Sequence, residues 1–287
     1  MRTSNAMQLK ARISALARNA GIPAQAMLQS YLLERFLNRL SRSSWRDYVV
    51  IKGGVLISSI VGVGSRTTMD LDTTITGFDL THEAIKAVFA EIVKIDVDDD
   101  WIFEIGELED IRESDDYPGV RLHLKANYAP MSVPLTIDIT TGDRITPEAI
   151  DYSYPLLFDE GRIIVKAYPV ETVLAEKLET IVTRGVANTR PRDYYDIYIL
   201  FRTDVISIDF DVLREALCST CEKRQSEQVV DRWAEALGMV ATDGSMLARW
   251  EKYIKRNPYA MGISLQDCCD TVRAVMEKVA TQDVCPE

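Results

Sequence analysis

The chain has 287 residues, 47% hydrophobic and 27% charged, an ordinary globular composition with enough apolar material for one large domain or two modest ones. Its five cysteines are odd in number and fall late, which argues against a secreted disulfide framework. Residues 49–63 are the most apolar stretch but are short and interrupted by Lys52, so no signal peptide, spanning helix or membrane association is expected, and a reducing cytoplasm is the expected compartment.

The net charge of −11 is unevenly spread. Residues 1–66 carry ten Lys/Arg against two Asp/Glu, and residues 67–151 carry six against twenty. The start of the chain could therefore meet an anionic partner that the acidic middle would repel. Residues 7–20 read as a short amphipathic helix with Leu9, Ile13, Leu16 and Ala17 on one stripe. Gly21 and Pro23 end it, and a second helix over 24–40 carries Met27, Leu28, Tyr31, Leu32, Phe36 and Leu40 at helical spacing. Arg35, Arg39 and Arg42 are either a ridge facing nucleic acid or solvated helix charges.

Residues 47–51 read as a short strand, followed by Lys52-Gly53-Gly54 and a helix over 55–60. The paired glycines allow close backbone approach. Lys52 either reaches a phosphate or is an exposed charge at a strand end. The polar turn Gly64-Ser65-Arg66-Thr67-Thr68 then runs into Met69-Asp70-Leu71-Asp72, with period-2 alternation through Ile75. On such a strand Asp70 and Asp72 point to one face, about 7 Å apart. Two carboxylates that close repel each other unless a cation lies between them, and a hard divalent ion, usually Mg²⁺, is the natural occupant. Gly64 and Ser65 offer backbone N–H groups and a hydroxyl, and Arg66 adds a positive charge, a set suited to a phosphate tail. A phosphate cradle beside a metal-binding acid pair describes a nucleotidyl-transfer site. The competing reading is an ordinary turn leading into a solvated strand edge.

Thr81 is placed to cap a helix ending near residue 94, and the acidic run from Asp96 to Asp100 reads as a solvated loop. Residues 101–108 and 120–127 read as strands joined by a polar connection over 109–119. Val133-Pro134-Leu135-Thr136-Ile137-Asp138-Ile139 reads as a buried strand with one carboxylate. A lone acid among apolar neighbours is costly unless paired or metal-bound, so Asp138 is a third candidate ligand. The alternative is a strand-end acid facing solvent. In a helix over 170–184, Val170, Val173, Leu174 and Ile181 form an apolar stripe with Lys177 in its middle. That lysine needs a protein carboxylate or a bound triphosphate, unless it snorkels to solvent. Asp193 and Asp196 follow on a helix beginning near Pro191 and can both point inward. Either could orient Lys177 or act as a base, and a plain buried salt bridge competes with both roles.

Beyond residue 206 there is helical periodicity without a chemical signature. Cys218-Ser219-Thr220-Cys221 and Cys268-Cys269 lack the second half of a zinc pattern. His82 and His123, the two histidines, have no evident partner, which argues against histidine-based hydrolysis.

An N-terminal helical pair precedes Val50-Ile51-Lys52-Gly53-Gly54, then the stretch from Ser65 to Asp72, the Asp138 strand, Ala175-Glu176-Lys177-Leu178 and Arg192-Asp193-Tyr194-Tyr195-Asp196-Ile197-Tyr198. Five motifs in this order, over residues 7–203, resemble the AbiEii/AbiGii family of nucleotidyltransferase toxins, within the DNA polymerase β-like superfamily. The resemblance implies an α+β fold: a mixed nucleotidyltransferase sheet flanked by helices, an N-terminal helical pair and a helical C-terminal part, with domains 1–203 and 204–287. It implies an NTP-using toxin of a bacterial toxin–antitoxin or phage-defence (abortive infection) pair, neutralised by a cognate antitoxin, with the tRNA 3′ end as acceptor. By position, Asp70 and Asp72 would hold Mg²⁺, with Asp138 a more variable third acid. Ser65 would contact the nucleotide phosphates, Lys177 would bind the triphosphate, and Asp193 or Asp196 would match the late acidic motif.

A two-metal scheme gives one ion the task of acidifying the acceptor hydroxyl and the other that of neutralising pyrophosphate, about 4 Å apart. Lys177, Arg66 and the rigid acid strand would add positioning. Two rival readings are a catalytically inactive nucleotide-binding module and an enzyme that transfers AMP to Ser, Thr or Tyr of a protein. The overall negative charge fits the protein acceptor, and the basic start of the chain favours tRNA.

Overall fold

Alternating apolar and polar residues build the strands of the first half of the chain. In the computed structural model, which describes residues 5–111, 119–158, 160–202 and 205–280, these are β1 (Val49–Lys52), β2 (Asp70–Ile75), β3 (Ile102–Ile111), β4 (Gly119–Tyr128), β5 (Met131–Thr141), β6 (Ile150–Pro155) and β7 (Arg162–Ala167). They form one mixed sheet in the order β3-β4-β5-β2-β1-β7-β6. β2 runs parallel to β5 and β1 parallel to β7, while the other neighbours are antiparallel. The polar connection expected after β3 lies largely outside the described residues. β6 and β7 are additions to the sequence reading. Along β6 only Tyr154 is buried, so its alternation is too faint to announce a strand.

One face of the sheet is apolar. Phe103, Ala126 and Val133 lie in register across β3, β4 and β5, as do Leu71, Ile137 and Leu122 across β2, β5 and β4. Helices α2 (Ala24–Ser41) and α4 (His82–Val93) cover it: Phe36 of α2 stacks on Phe89 of α4 at 5.8 Å and meets Phe103 edge-on. Helix α1 (Ala6–Ala20) lies against α2 and ends on Gly21 at φ 68°. Thr81 caps α4 by accepting the Ala84 N–H, as expected. Helix α3 (Gly53–Val61) leaves β1 without a connecting loop.

Two expectations for this region are corrected. Arg35 and Arg39 are neither a nucleic-acid ridge nor solvated: both are buried. Arg35 pairs with Glu34. Arg39 forms a two-pronged pair with Asp99 at 2.9 and 2.6 Å, donates to the Trp101 carbonyl and lies over the Phe103 ring. Asp99 is accordingly not a solvated loop acid, because a buried guanidinium needs an acceptor of its own. Arg42 alone of the three is exposed.

The sheet with its helices, residues 1–143 and 150–167, is one of two compact units, and residues 144–149 and 168–287 form the other. Activity-based boundaries at 1–203 and 204–287 divide the chain differently, since the Lys177 helix groups with the later helices. The second unit contains α5 (Val170–Arg184), α6 (Pro191–Arg202), α7 (Phe210–Arg224), α8 (Glu227–Val230), α9 (Trp233–Thr242), α10 (Gly244–Arg256) and α11 (Leu265–Val279). Local sequence explains several of the starts: Asp209 caps α7, Asp243 caps α10, and Ser264 with Asp267 forms a capping box on α11. Thr172 of α5 accepts the Thr146 N–H and donates to the Thr146 carbonyl, which fixes the 144–149 segment. The whole is the expected α+β fold, a mixed sheet flanked by helices with an N-terminal helical pair and a helical C-terminal part. Among the described residues no helix is long and apolar enough to cross a membrane.

Candidate active site

The face of the sheet opposite the apolar one carries the acids. Strand alternation buries Leu71, Thr73 and Ile75 and turns Asp70 and Asp72 to the other side, where both stay partly exposed. In the parallel β2–β5 ladder Asp72 stands opposite Asp138 and Asp70 opposite Thr136. Asp72 also faces Lys52 across β1, and Asp138 faces Arg121 across β4. The result is a registered row Arg121–Asp138–Asp72–Lys52 over four strands, with two acids bracketed by two bases.

Each acid of the strand is tethered by a neutral donor. The Thr68 hydroxyl donates to Asp70 Oδ1 at 2.8 Å, and the Gly54 N–H points to Asp72 Oδ2 at 3.4 Å. Gly54 lies in the first turn of α3, so the positive end of that helix faces the Asp72 carboxylate. The paired glycines are required here. Gly53 has φ +62°, and a Cβ on it would stand 2.2 Å from Asp72 Oδ2, while one on Gly54 would stand 2.7 Å from Thr68 Oγ1. Two partly exposed carboxylates on one face of a strand suit a divalent ion that takes one or two protein carboxylates and completes its shell from phosphates and water. The Asp70–Asp72 pair therefore fits Mg²⁺.

Asp138 is placed differently. Arg121 donates to both of its oxygens, Nε to Oδ1 and Nη2 to Oδ2, each at 2.8 Å. This carboxylate, hydrogen-bonded to Arg121, raises the guanidinium above its already high ordinary value. Among the described residues no three His, Cys, Asp or Glu side chains are grouped to hold a metal ion. Lys52 is buried, donates to Thr140 Oγ1 at 2.8 Å and pairs with Asp143. In the upstream turn, the Ser65 and Arg66 N–H groups both donate to the Gly62 carbonyl, at 3.0 and 3.2 Å. Gly64 packs against α1, where an added Cβ would lie 3.1 Å from the Ala20 carbonyl oxygen. Arg66 is buried, with its guanidinium on the Thr67 carbonyl.

The second unit gathers the other candidates. Lys177 of α5 lies 2.8 Å from Asp193 Oδ1 and 2.8 Å from Asp196 Oδ2, both on α6. All three side chains are buried. Burial pulls the Lys177 ammonium down, but the two carboxylates together outweigh it and hold its pKa above the ordinary lysine value. Arg190 adds a second cation, with Nε 3.0 Å from Asp193 Oδ2 and Nη2 donating to Asp193 Oδ1 at 3.5 Å.

Arg121, Thr68 and Arg190 are absent from the sequence reading of the site. Arg121 had one available signal, a charge between the apolar Val120 and Leu122, but only the β4–β5 register reveals its partner. The two histidines lie beside acids, His82 at 2.8 Å from Asp110 and His123 at 3.3 Å from Glu109. Cys221, Cys268 and Cys269 are buried free thiols, and Cys218 is partly exposed.

The family model for the AbiEii nucleotidyl transferase toxin of type IV toxin–antitoxin systems matches residues 35–271, a span that contains both the acid row and the lysine cluster. The chain belongs to this family. As an AbiEii protein it is a nucleotidyltransferase and a toxin, which implies an antitoxin partner. The match begins within α2 and extends through most of the C-terminal helices, later in the chain than the motif-based resemblance over 7–203. No curated protein matches the chain. Two solved structures are similar. One, from H. pylori and described as a candidate nucleotidyltransferase, has a TM-score of 0.46 at 15% identity, covering 90% of this chain and 97% of its own. The other, JHP933 from Helicobacter pylori, has a TM-score of 0.47 at 13% identity, covering 89% and 93%. At these values neither supports an argument about the AbiEii chain beyond a general likeness.

Proposed function

We propose that this AbiEii protein transfers a nucleotide from an NTP to the 3′ end of tRNA, with Mg²⁺ on Asp70 and Asp72, as a cytoplasmic toxin of a phage-defence pair. The observation that carries this reading is the acid pair on β2, partly exposed on one face of the sheet and tethered by Thr68 and by the N-terminus of α3. A divalent ion bound there supplies charge neutralisation for the triphosphate and acidifies the acceptor hydroxyl. The chain's own residues supply the geometry. Thr68 and Gly54 fix the two carboxylates, Gly53 makes room for one of them, and the α3 N-terminus faces negative charge. Transfer forms a bond from the acceptor oxygen to the α-phosphorus and breaks the bond from that phosphorus to the bridging oxygen, releasing pyrophosphate. Gly64, Ser65 and Arg66 are proposed to border the phosphates, with Lys52 and Lys177 as further phosphate contacts and Asp193 or Asp196 orienting Lys177. Asp138 completes the acidic face.

A second reading, AMP transfer to a protein hydroxyl, is favoured by one observation. Arg35 and Arg39 are consumed in buried ion pairs, so the basic start of the chain offers fewer charges to RNA than its count suggests. Both readings are tested by incubating the protein with Mg²⁺, total bacterial RNA or protein, and each α-labelled NTP in turn, beside Asp70→Ala. Label on RNA that disappears in the variant supports tRNA-type transfer, and label on protein supports the alternative. NTP binding without any transfer would leave only an inactive binding module.

A further inference from the structure

We infer that α10 and the turn between α5 and α6 form a docking surface for the acceptor RNA, which holds its phosphates through Arg184, Arg192, Lys252, Lys255 and Arg256. This rests on the RNA-acceptor reading proposed above.

Residues 203–287 carry ten Lys/Arg against fifteen Asp/Glu, yet α10 holds Arg249, Lys252, Lys255 and Arg256 against Glu251 alone. Residues 184–192 add Arg184, Arg190 and Arg192 with no acid among them. The two runs are joined. Arg249 donates through Nη1 to the carbonyls of Val186 and Asn188, at 3.0 and 3.2 Å, which fastens α10 to the turn. Aromatic rings pack the joint between α6 and α10: Tyr195 meets Tyr253 at 6.0 Å and Tyr259 at 5.1 Å, and Trp250 lies 5.4 Å from Tyr253.

Spacing of i, i+3 and i+7 puts Arg249, Lys252 and Arg256 on one stripe about 10 Å long, with Lys255 at its side. Arg184, Arg192, Lys252, Lys255 and Arg256 are exposed, and none of the five pairs with an acid among the described residues. Other cations of the same unit do pair, Arg144 with Glu222, Arg214 with Asp211 and Arg224 with Glu179. Helix stability explains only part of this arrangement. Arg184, Lys255 and Arg256 lie in last turns, where a helix favours a cation. Lys252 lies a turn earlier, and Arg192 occupies the first turn of α6, where the helix dipole opposes a positive charge.

Unpaired exposed cations concentrated in a chain of net charge −11 suit a polyanion. Two features favour RNA over an acidic protein. The half-buried rings of Tyr253 and Tyr259 border the stripe, as in surfaces that combine phosphate contacts with base stacking. The turn also joins the two helices that hold Lys177, Asp193 and Asp196, so the surface is continuous with the lysine proposed to contact phosphate.

The test reads binding without chemistry. Fluorescently labelled, deacylated bacterial tRNA is titrated with the full-length protein, without NTP, at about 50 to 200 mM KCl, and affinity is followed by anisotropy. Lys252→Gln/Lys255→Gln/Arg256→Gln should bind about ten- to a hundred-fold more weakly at the low-salt end, with a log–log salt slope shallower by about 2–3. Lys10→Gln/Lys86→Gln/Lys94→Gln removes the same charge from exposed positions elsewhere and should keep the wild-type slope. An unchanged slope in the α10 variant, or an equal loss in both variants, would overturn the surface while leaving RNA transfer in place. Poly-glutamate displacing tRNA charge for charge would overturn it in favour of an acidic protein partner. No tRNA binding by the wild type at any salt would overturn the surface and the RNA-acceptor reading together. A tRNA held through α10 but never labelled in the transfer assay would uphold the surface and refute the acceptor reading.

Discussion

Gly53 is the residue on which the acid pair depends most directly. Its backbone lies in the left-handed region, and the Asp72 carboxylate fills the volume of a missing Cβ. Gly53→Ala combines strain with a collision against a functional oxygen. A loss of about 1–3 kcal/mol is expected, together with loss of transfer, because Asp72 must move. Urea unfolding beside a transfer assay checks this, and an active, equally stable variant would contradict it. Lys177 poses the opposite problem, a charge without water. Lys177→Met leaves Asp193 and Asp196 buried side by side, at an expected cost of about 3–5 kcal/mol. Adding Asp193→Asn and Asp196→Asn should restore much of that in the same measurement. A single variant as stable as wild type would remove the structural role of the lysine.

At the scale of elements, β2 is held in place by a side chain from another layer. Gln29, buried in α2, donates through Nε2 to the Met69 carbonyl at 2.9 Å and to the Pro134 carbonyl at 3.2 Å. It thereby ties the start of the acid strand to β5. Gln29→Leu leaves two carbonyls without this donor, which should cost about 1–3 kcal/mol. The misplaced strand should also transfer more slowly, whereas a drop in stability with full transfer would show that Asp70 does not feel the tether. Elements of this kind were legible from sequence to very different degrees. The bounds of α5 and the cap of α4 follow from local spacing, and so does the shared face of Asp70 and Asp72. The partners of Arg39, Asp138 and Lys52 do not. Arg39 meets Asp99 sixty positions away and Lys52 meets Asp143 ninety-one positions away, and such pairings are set by sheet order and layer packing. Arg39 looks like a solvated helix charge by any local rule, because nothing near it in sequence reveals its acceptors, and Arg35, although its partner Glu34 is adjacent, gives no local sign that the pair is buried.

The whole molecule carries a latent sensitivity to alkali. Burial pushes the Cys221 and Cys269 thiols up to about 12 and raises that of Cys268 as well, from an ordinary value of 9.0. Between those limits the unfolded chain releases protons that the folded chain keeps, so stability falls as pH rises. Lys177 acts in the same sense: its contribution is complete below the ordinary lysine range and is lost as pH climbs through its raised value. Urea midpoints should therefore decline steadily from pH 8.5 to 11, and a flat profile would refute the buried-thiol account. The interleaving of the two compact units has a consequence for synthesis. Strands β1 to β5, with the complete acid row, are available once Asp143 has been made, whereas β7, the second neighbour of β1, ends at Ala167 and Lys177 comes later still. A chain growing from its amino end thus assembles the acid face first, around a β1 whose other edge stays open until β7 emerges from the ribosome. The nascent toxin passes through a stage that has its carboxylates but not yet its lysine.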